Sequence, residues 1–168
     1  MTSATKGRYS GVSMLLHWLI AAAVIANWRI AETAEHAATE EAGRAIMKNH
    51  FSIGVVMFVL VIAALLWRTK NRPPAMPDHF AGWEKMLAKV THWLFYTLLL
   101  VMPLAGWFAM SKYGAPISVF GLFELPPLPV AQDPAGAKSI FESHALAGQA
   151  MLILLVLHIL GTLKHTIL

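Results

Sequence analysis

The chain contains no cysteine at all. That absence removes disulfides, thiolate zinc sites, iron–sulfur clusters and thioether-attached haem from consideration. Any metal centre has to be held by histidine or methionine, and the nine methionines read as packing filler. Charge is scarce as well. Only 13% of the 168 residues are Asp, Glu, Lys or Arg, against about a quarter in an ordinary soluble domain. With 57% hydrophobic residues and a mean hydropathy of +0.59, the composition is that of a membrane protein. The net charge of +4 implies no nucleic acid, because basic loop residues serve to orient membrane spans.

Four apolar stretches, at about 12–28, 46–67, 87–110 and 140–163, are each long enough to cross a hydrocarbon core ~30 Å thick. The first follows Lys6 and Arg8, but His17, Trp18 and Trp28 within it fit a span better than a signal peptide. The expected fold is therefore an all-α membrane protein, a bundle of four transmembrane helices forming one domain over residues 1–168. Tryptophans near the span ends have the placement of an interfacial belt that meets lipid headgroups.

The loop charges orient the bundle. Lys6, Arg8, Arg68, Lys70, Arg72, Lys85, Lys89 and Lys164 fall on one side. Arg29, Arg44, Lys48, Lys112 and Lys138 fall on the other, with most of the acidic residues. By the positive-inside rule both termini are cytoplasmic. Arg72-Pro73-Pro74-Ala75-Met76-Pro77 reads as a stiff inner linker, since its prolines fix φ and donate no hydrogen bonds. The long outer segment between Lys112 and Lys138 is apolar around Phe120-Gly121-Leu122-Phe123 and is expected to fold back as a lid. Pro103 and Gly106 lie inside the third span, where a kink is expected.

Ionisable residues at membrane depth are functional candidates. The last span carries His144 and His158. Fourteen residues at 3.6 per turn bring the two imidazoles to within ~40° of one face, ~21 Å apart along the axis. One helix would thus present a nitrogen ligand towards each side of the membrane. His50 enters the second span from outside, so it is the natural partner of His144. On the inner side His158 has two possible partners, His17 and His92, and depth alone does not choose. His36 and His79 fall in loops and read as solvated.

Two helices presenting imidazoles to opposite faces of one flat ring is the arrangement of a bis-histidine haem, with both axial positions filled for electron transfer. Gly54 and Gly148 each follow an outer histidine by four residues. That position lies on the ligand's own face, where a porphyrin needs clearance. Arg44 and Lys48 precede His50, and Lys138, Ser139 and Ser143 precede His144. Lys48 and Lys138 are the expected propionate contacts, with interfacial anchoring as the ordinary alternative.

Taken together these residues resemble the prokaryotic cytochrome b561 family over essentially the whole chain. The likeness runs through Tyr9-Ser10, Leu16-His17-Trp18-Leu19, His50-x-x-x-Gly54 and Trp67-Arg68. It continues through His92-x-x-x-Tyr96, Pro103-x-x-Gly106-Trp107 and Phe120-Gly121-Leu122 to His144, His158 and His165. Ala64 stands where many relatives carry arginine. The resemblance implies two non-covalent b haems, with His50 and His144 on the outer iron and His17 with His158 on the inner. It leaves His92 and His165 free for another task, for which a quinone site near the inner face is the expectation, and it implies the bacterial inner (plasma) membrane. Members resembling superoxide oxidase pass electrons from superoxide to ubiquinone. Other relatives are cytochrome subunits of larger respiratory or dehydrogenase complexes. A non-haem transporter or scaffold with metal- or proton-carrying histidines is the reading from a different class.

Overall fold

The computed structural model describes residues 8–76 and 80–167, with side chains as far as Lys164. Lys6, Pro77, His79 and the side chain of His165 lie outside the described residues. Four long helices account for most of it: α1 (Gly11–Glu35), α2 (Glu40–Lys70), α3 (Gly82–Lys112) and α4 (Pro134–Ile167). Each is long and apolar enough to cross a membrane, and together they make a multi-pass helical membrane bundle.

The helices overrun the apolar stretches because their capping residues sit in polar sequence beyond the hydrophobic runs. Ser10 caps α1 by accepting from the Ser13 N–H at 3.1 Å, and Thr39 caps α2 by accepting from the Ala42 N–H at 3.1 Å. Glu40 and Glu41 then occupy the first turn of α2, and Arg68 and Lys70 the last, each sign placed to oppose the helix dipole. At α4, Asp133 Oδ1 accepts from the Gly136 N–H at 2.9 Å. Pro134 opens that helix, where its missing N–H and preset φ are no handicap. α3 runs through Pro103 as one continuous helix, so the expected kink does not break it.

α1 packs chiefly on α2, α3 packs on α4, and α2 joins the two pairs. One end of the bundle holds the start of α1 and the end of α4. There Trp67 Nε1 donates to Ser10 Oγ at 3.0 Å, and Lys164 Nζ meets Glu84 Oε1 at 2.8 Å. The opposite end carries an element the four-helix expectation lacked. β1 (Ile117–Val119) and β2 (Phe123–Leu125) form an antiparallel hairpin in which Val119 pairs with Phe123 and Ile117 with Leu125. The expected lid thus takes the form of a strand pair lying on α2. Two ties hold its return limb to α3: Trp107 Nε1 to the Pro126 carbonyl at 2.9 Å and the Leu128 N–H to Ser111 Oγ at 2.9 Å.

The core is a thin layer at mid-depth made by Val24, Met57, Val61, Leu99 and Met151, one or two residues from each helix. Most other large apolar side chains face outwards, as a lipid-solvated belt requires.

Candidate functional site

The mid-depth apolar layer separates two groups of histidines. At the hairpin end, His50 of α2 faces His144 of α4, with ring centroids 6.0 Å apart and planes at 74°. His50 Nδ1 lies 3.1 Å from the backbone carbonyl of Asn27 on α1. A carbonyl only accepts, so Nδ1 carries the proton and Nε2 keeps its lone pair for a ligand role. His144 Nδ1 is buried and makes no well-formed hydrogen bond, although the Met102 carbonyl approaches its ring.

A cavity of about 870 Å³ opens at this end, lined by both histidines and by Asn27, Gly54, Gly106 and Gly148 among others. Its walls are bare where the sequence places glycine. A Cβ at Gly54 would meet only Asn27 Nδ2, at 4.0 Å, and one at Gly148 only Met102 Cε, at 3.8 Å. Gly106 lies equally close to this space, with a Cβ there 3.8 Å from His144 Cε1. In the sequence Gly106 stands out for a kink and as part of Pro103-x-x-Gly106-Trp107, with no link to a ligand. Asn27 was missed altogether, although a lone amide in an apolar span is a signal in itself. It is 8% exposed, and its Oδ1 is buried without a hydrogen-bond partner.

At the terminal end, His158 of α4 stands between two neighbours. His17 of α1 lies 6.5 Å away between centroids, with planes at 62°, and His92 of α3 lies 5.6 Å away at 66°. Phe95 closes the space towards the apolar layer, 5.5 Å from His158. Arg68 of α2 donates to the Tyr96 hydroxyl at 3.2 Å, one turn along α3 from His92.

These spacings carry chemical meaning. A nitrogen ligand sits ~2.0–2.1 Å from a first-row metal, and its ring centroid ~1.1 Å further back, so two imidazoles on opposite sides of one metal have centroids roughly 6 Å apart. Both ends of the bundle match that separation. Among the described residues no three His, Cys, Asp or Glu gather where they could hold a metal ion by themselves. A pair of imidazoles suffices where a macrocycle supplies the other ligands, so the donor set fits an iron porphyrin better than a bare ion.

The charged residues at the hairpin end are largely paired. Arg44 meets Glu40 at 3.0 Å and Lys138 meets Glu142 at 3.9 Å, all four side chains well exposed. Arg44 and Lys138 reach the cavity, together with Glu32 and Glu35. Lys48 is exposed and stands apart from the cavity lining, its carbonyl accepting from Ser52 Oγ at 2.9 Å. The Ser143 hydroxyl is engaged with the Ser139 carbonyl at 3.0 Å. In the loops, the backbone carbonyl of Glu32, aided by its carboxylate, raises the His36 pKa above its ordinary value. The Gly136 N–H and the Lys112 ammonium hold Asp133 below the usual carboxylate range.

Comparison with known proteins gives the same picture over nearly the full length. Residues 8–168 match the family model described as "Prokaryotic cytochrome b561". The chain is 28% identical over 172 residues to "Cytochrome b561 homolog 2" of Escherichia coli (strain K12), covering 96% of this chain and 86% of that protein. It is 27% identical over 161 residues to "Probable superoxide oxidase CybB" of Yersinia pestis, covering 94% and 88%.

Proposed function

The chain belongs to the prokaryotic cytochrome b561 family of membrane electron-transfer proteins, and from that premise we propose that it carries electrons across the bilayer through two non-covalent b haems. His50 and His144 would hold the haem at the hairpin end, and His158 with His17 the one at the terminal end. The observation that carries this reading is the repetition of a facing imidazole pair, 6.0 Å and 6.5 Å between centroids, on the two sides of one apolar layer. Haem supplies reversible one-electron chemistry at iron. Two histidines held to each iron would leave it no open position, which would favour electron transfer over oxygen binding.

The remaining steps belong to the chain's own residues. The Asn27 carbonyl fixes the His50 tautomer. Gly54 and Gly148 leave the helix faces clear, and Lys138 with Arg44 stands near the cavity mouth as the cationic partner for propionates. Lys48, outside that lining, is left as an interfacial anchor. By the positive-inside rule the hairpin end faces outwards and both termini face the cytoplasm of a bacterial cell. The donor meets the protein at the hairpin end. Superoxide is the donor suggested by the name of the Yersinia relative. The acceptor is a ubiquinone at the terminal end, where His92, beside Arg68 and Tyr96, is placed to bind a quinone carbonyl and pass a proton. His165, seven residues past His158 on the same helix, is assigned to the same task.

A second reading, a haem-bearing subunit receiving electrons from a larger respiratory or dehydrogenase complex, is favoured by the charges of the hairpin end. The two cations that reach its cavity, Arg44 and Lys138, are already paired with Glu40 and Glu142, while Glu32 and Glu35 add negative charge. Such a mouth does little to attract a small anion and suits a protein donor with a basic face. The deciding experiment mixes purified, haem-loaded protein with a superoxide source and a ubiquinone analogue. Quinone reduction by the isolated chain supports the first reading. Failure with superoxide, alongside rapid reduction by a dehydrogenase partner, supports the second.

A further inference from the structure

The β1–β2 hairpin wears its largest apolar side chains on the outside. Ile117 and Val119 are 4% and 3% exposed, whereas Phe120, Leu122 and Phe123 are 53%, 82% and 56% exposed. The turn itself is unusual for a loop in water. Leu122 N–H closes it on the Val119 carbonyl at 2.9 Å, and Phe120 and Gly121 both have positive φ, 50° and 71°. Asparagine or aspartate normally takes the first of these positions, because a bulky side chain is disfavoured in the left-handed region. Here the position is held by phenylalanine.

The depth of the turn accounts for this choice. Lys48 and Arg68 bound the uncharged run of α2, and their separation of twenty residues corresponds to ~30 Å of helix, the thickness of a hydrocarbon core. Ser52 lies four residues inside that run, ~6 Å along the axis. Ser52 Oγ accepts from the Phe120 N–H at 3.0 Å and lies 3.1 Å from the Ser118 carbonyl. The turn is thus pinned below the level of Lys48. The α2 face that carries Ser52 continues through Val56 and Val59, which are 41% and 60% exposed and belong to the lipid-facing belt. The hairpin sits at the upper end of a stripe that faces lipid.

We propose that the hairpin is a membrane-embedded wedge, lodged against α2 within the leaflet at this end, with Phe120, Leu122 and Phe123 among the acyl chains. The occupant of its exposed face is lipid. Backbone at such depth needs its polar groups satisfied within the protein. The Ser52 hydroxyl serves the Phe120 N–H and stands beside the Ser118 carbonyl, while the turn hydrogen bond serves Leu122. Glu124, opposite Ser118, is the first charge after the tip. Trp107, tied to Pro126 on the return limb, anchors the wedge from α3 as an interfacial indole. The inner side of the wedge is not idle, since Ile117 forms part of the cavity wall near His50 and His144. Lipid pressing on the outer face would hold that wall shut.

The absence of cysteine makes the test direct. Leu122→Cys and His36→Cys are spin-labelled separately in the full chain and reconstituted in phosphatidylcholine liposomes. Collision with oxygen and with a water-soluble nickel chelate is then measured for each label. Immersion predicts that the label at Leu122 collides readily with oxygen and meets the chelate on the order of tenfold less than the label at His36, because a polar chelate is excluded from hydrocarbon. Equal chelate access at both positions would place the turn in water and overturn the proposal. Exclusion of both reagents at Leu122 would mean a protein cover and overturn it equally. Adding Ser52→Ala to Leu122→Cys should raise chelate access at the label, since the pin is gone. An unchanged value would show that Ser52 does not set the depth.

Discussion

The Nδ1–H of His50 on α2 donates to the backbone carbonyl of Asn27 on α1 across 3.1 Å. A helix carbonyl that serves a neighbouring helix's imidazole does two things at once. It fixes which ring nitrogen is free, and it steadies a ring whose centroid lies 6.0 Å from that of His144. Second partners of this kind raise the basicity of a ligating imidazole. His144 lacks an equivalent bond, so the two sides of the site are inequivalent.

From this follows the first prediction. His50→Ala and His144→Ala should each lower the haem content from about two to about one per chain, because one axial ligand cannot hold what two did. A pyridine haemochrome assay on purified protein gives the count. Two haems retained in His50→Ala would sink the assignment of the hairpin-end pair.

At the terminal end the two neighbours of His158 are expected to behave differently. His17→Ala should remove the second haem. His92→Ala should keep both and slow reoxidation of the reduced haem by an added quinone roughly tenfold, through loss of a hydrogen-bonding, proton-carrying group. Stopped-flow spectroscopy separates the two quantities. Haem loss in His92→Ala, with retention in His17→Ala, would assign the ligand to α3 instead.

Gly54 offers a test of steric clearance that does not depend on activity. The protein alone has room for a side chain there, since the nearest atom to a Cβ is 4.0 Å away. Gly54→Leu should therefore fold, with helical content unchanged by circular dichroism, yet bind about one haem fewer than the parent. Helix interiors also gain from losing glycine, by about 1 kcal/mol. Full haem content in Gly54→Leu would show that the cavity face of α2 needs no clearance.

The ion pair between Lys112 and Asp133, 3.0 Å apart, ties the end of α3 to the start of α4 and responds to acid. Its carboxylate has a pKa below the ordinary value because the Gly136 N–H and the Lys112 ammonium both favour the ionised form. A depressed folded-state pKa contributes stability that is present above the unfolded value and is lost as pH falls through the folded one. Limited proteolysis of the hairpin-end loop should thus be flat above about pH 5 and quicken at lower pH. Asp133→Asn should be quick throughout. A steep acid response that persists in Asp133→Asn would point to another group.

Charge at the cavity mouth gives a prediction on rates. With Glu32 and Glu35 adding negative charge beside the paired Arg44 and Lys138, haem reduction by superoxide should speed up as salt is raised from 0.01 M to about 0.15 M, as the Debye length falls from ~30 Å to ~8 Å. Glu32→Gln with Glu35→Gln should flatten that dependence. A rate that falls with salt would mean that the cations of Arg44 and Lys138 dominate the mouth.

Much of this protein was settled one residue at a time along the chain. The missing cysteines, the scarce charge and four apolar runs led to a helical membrane bundle, because length and transfer energy are local properties. The depths of His50, His92, His144 and His158 were legible for the same reason, as each is a count of residues from a span end. Lateral relations were not. Only the packing of α1 on α2 brought the Asn27 carbonyl to His50, and only that of α3 on α4 brought Gly106 beside His144. The packing gathered His17, His92 and His158 into one group, where depth had left the partner of His158 open. The hairpin on Ser52 was hidden for a further reason. Its strands are three residues each, too short to announce themselves by alternation. They are pinned by a buried hydroxyl of α2 sixty-six residues away in sequence, and no local preference encodes a contact at that range.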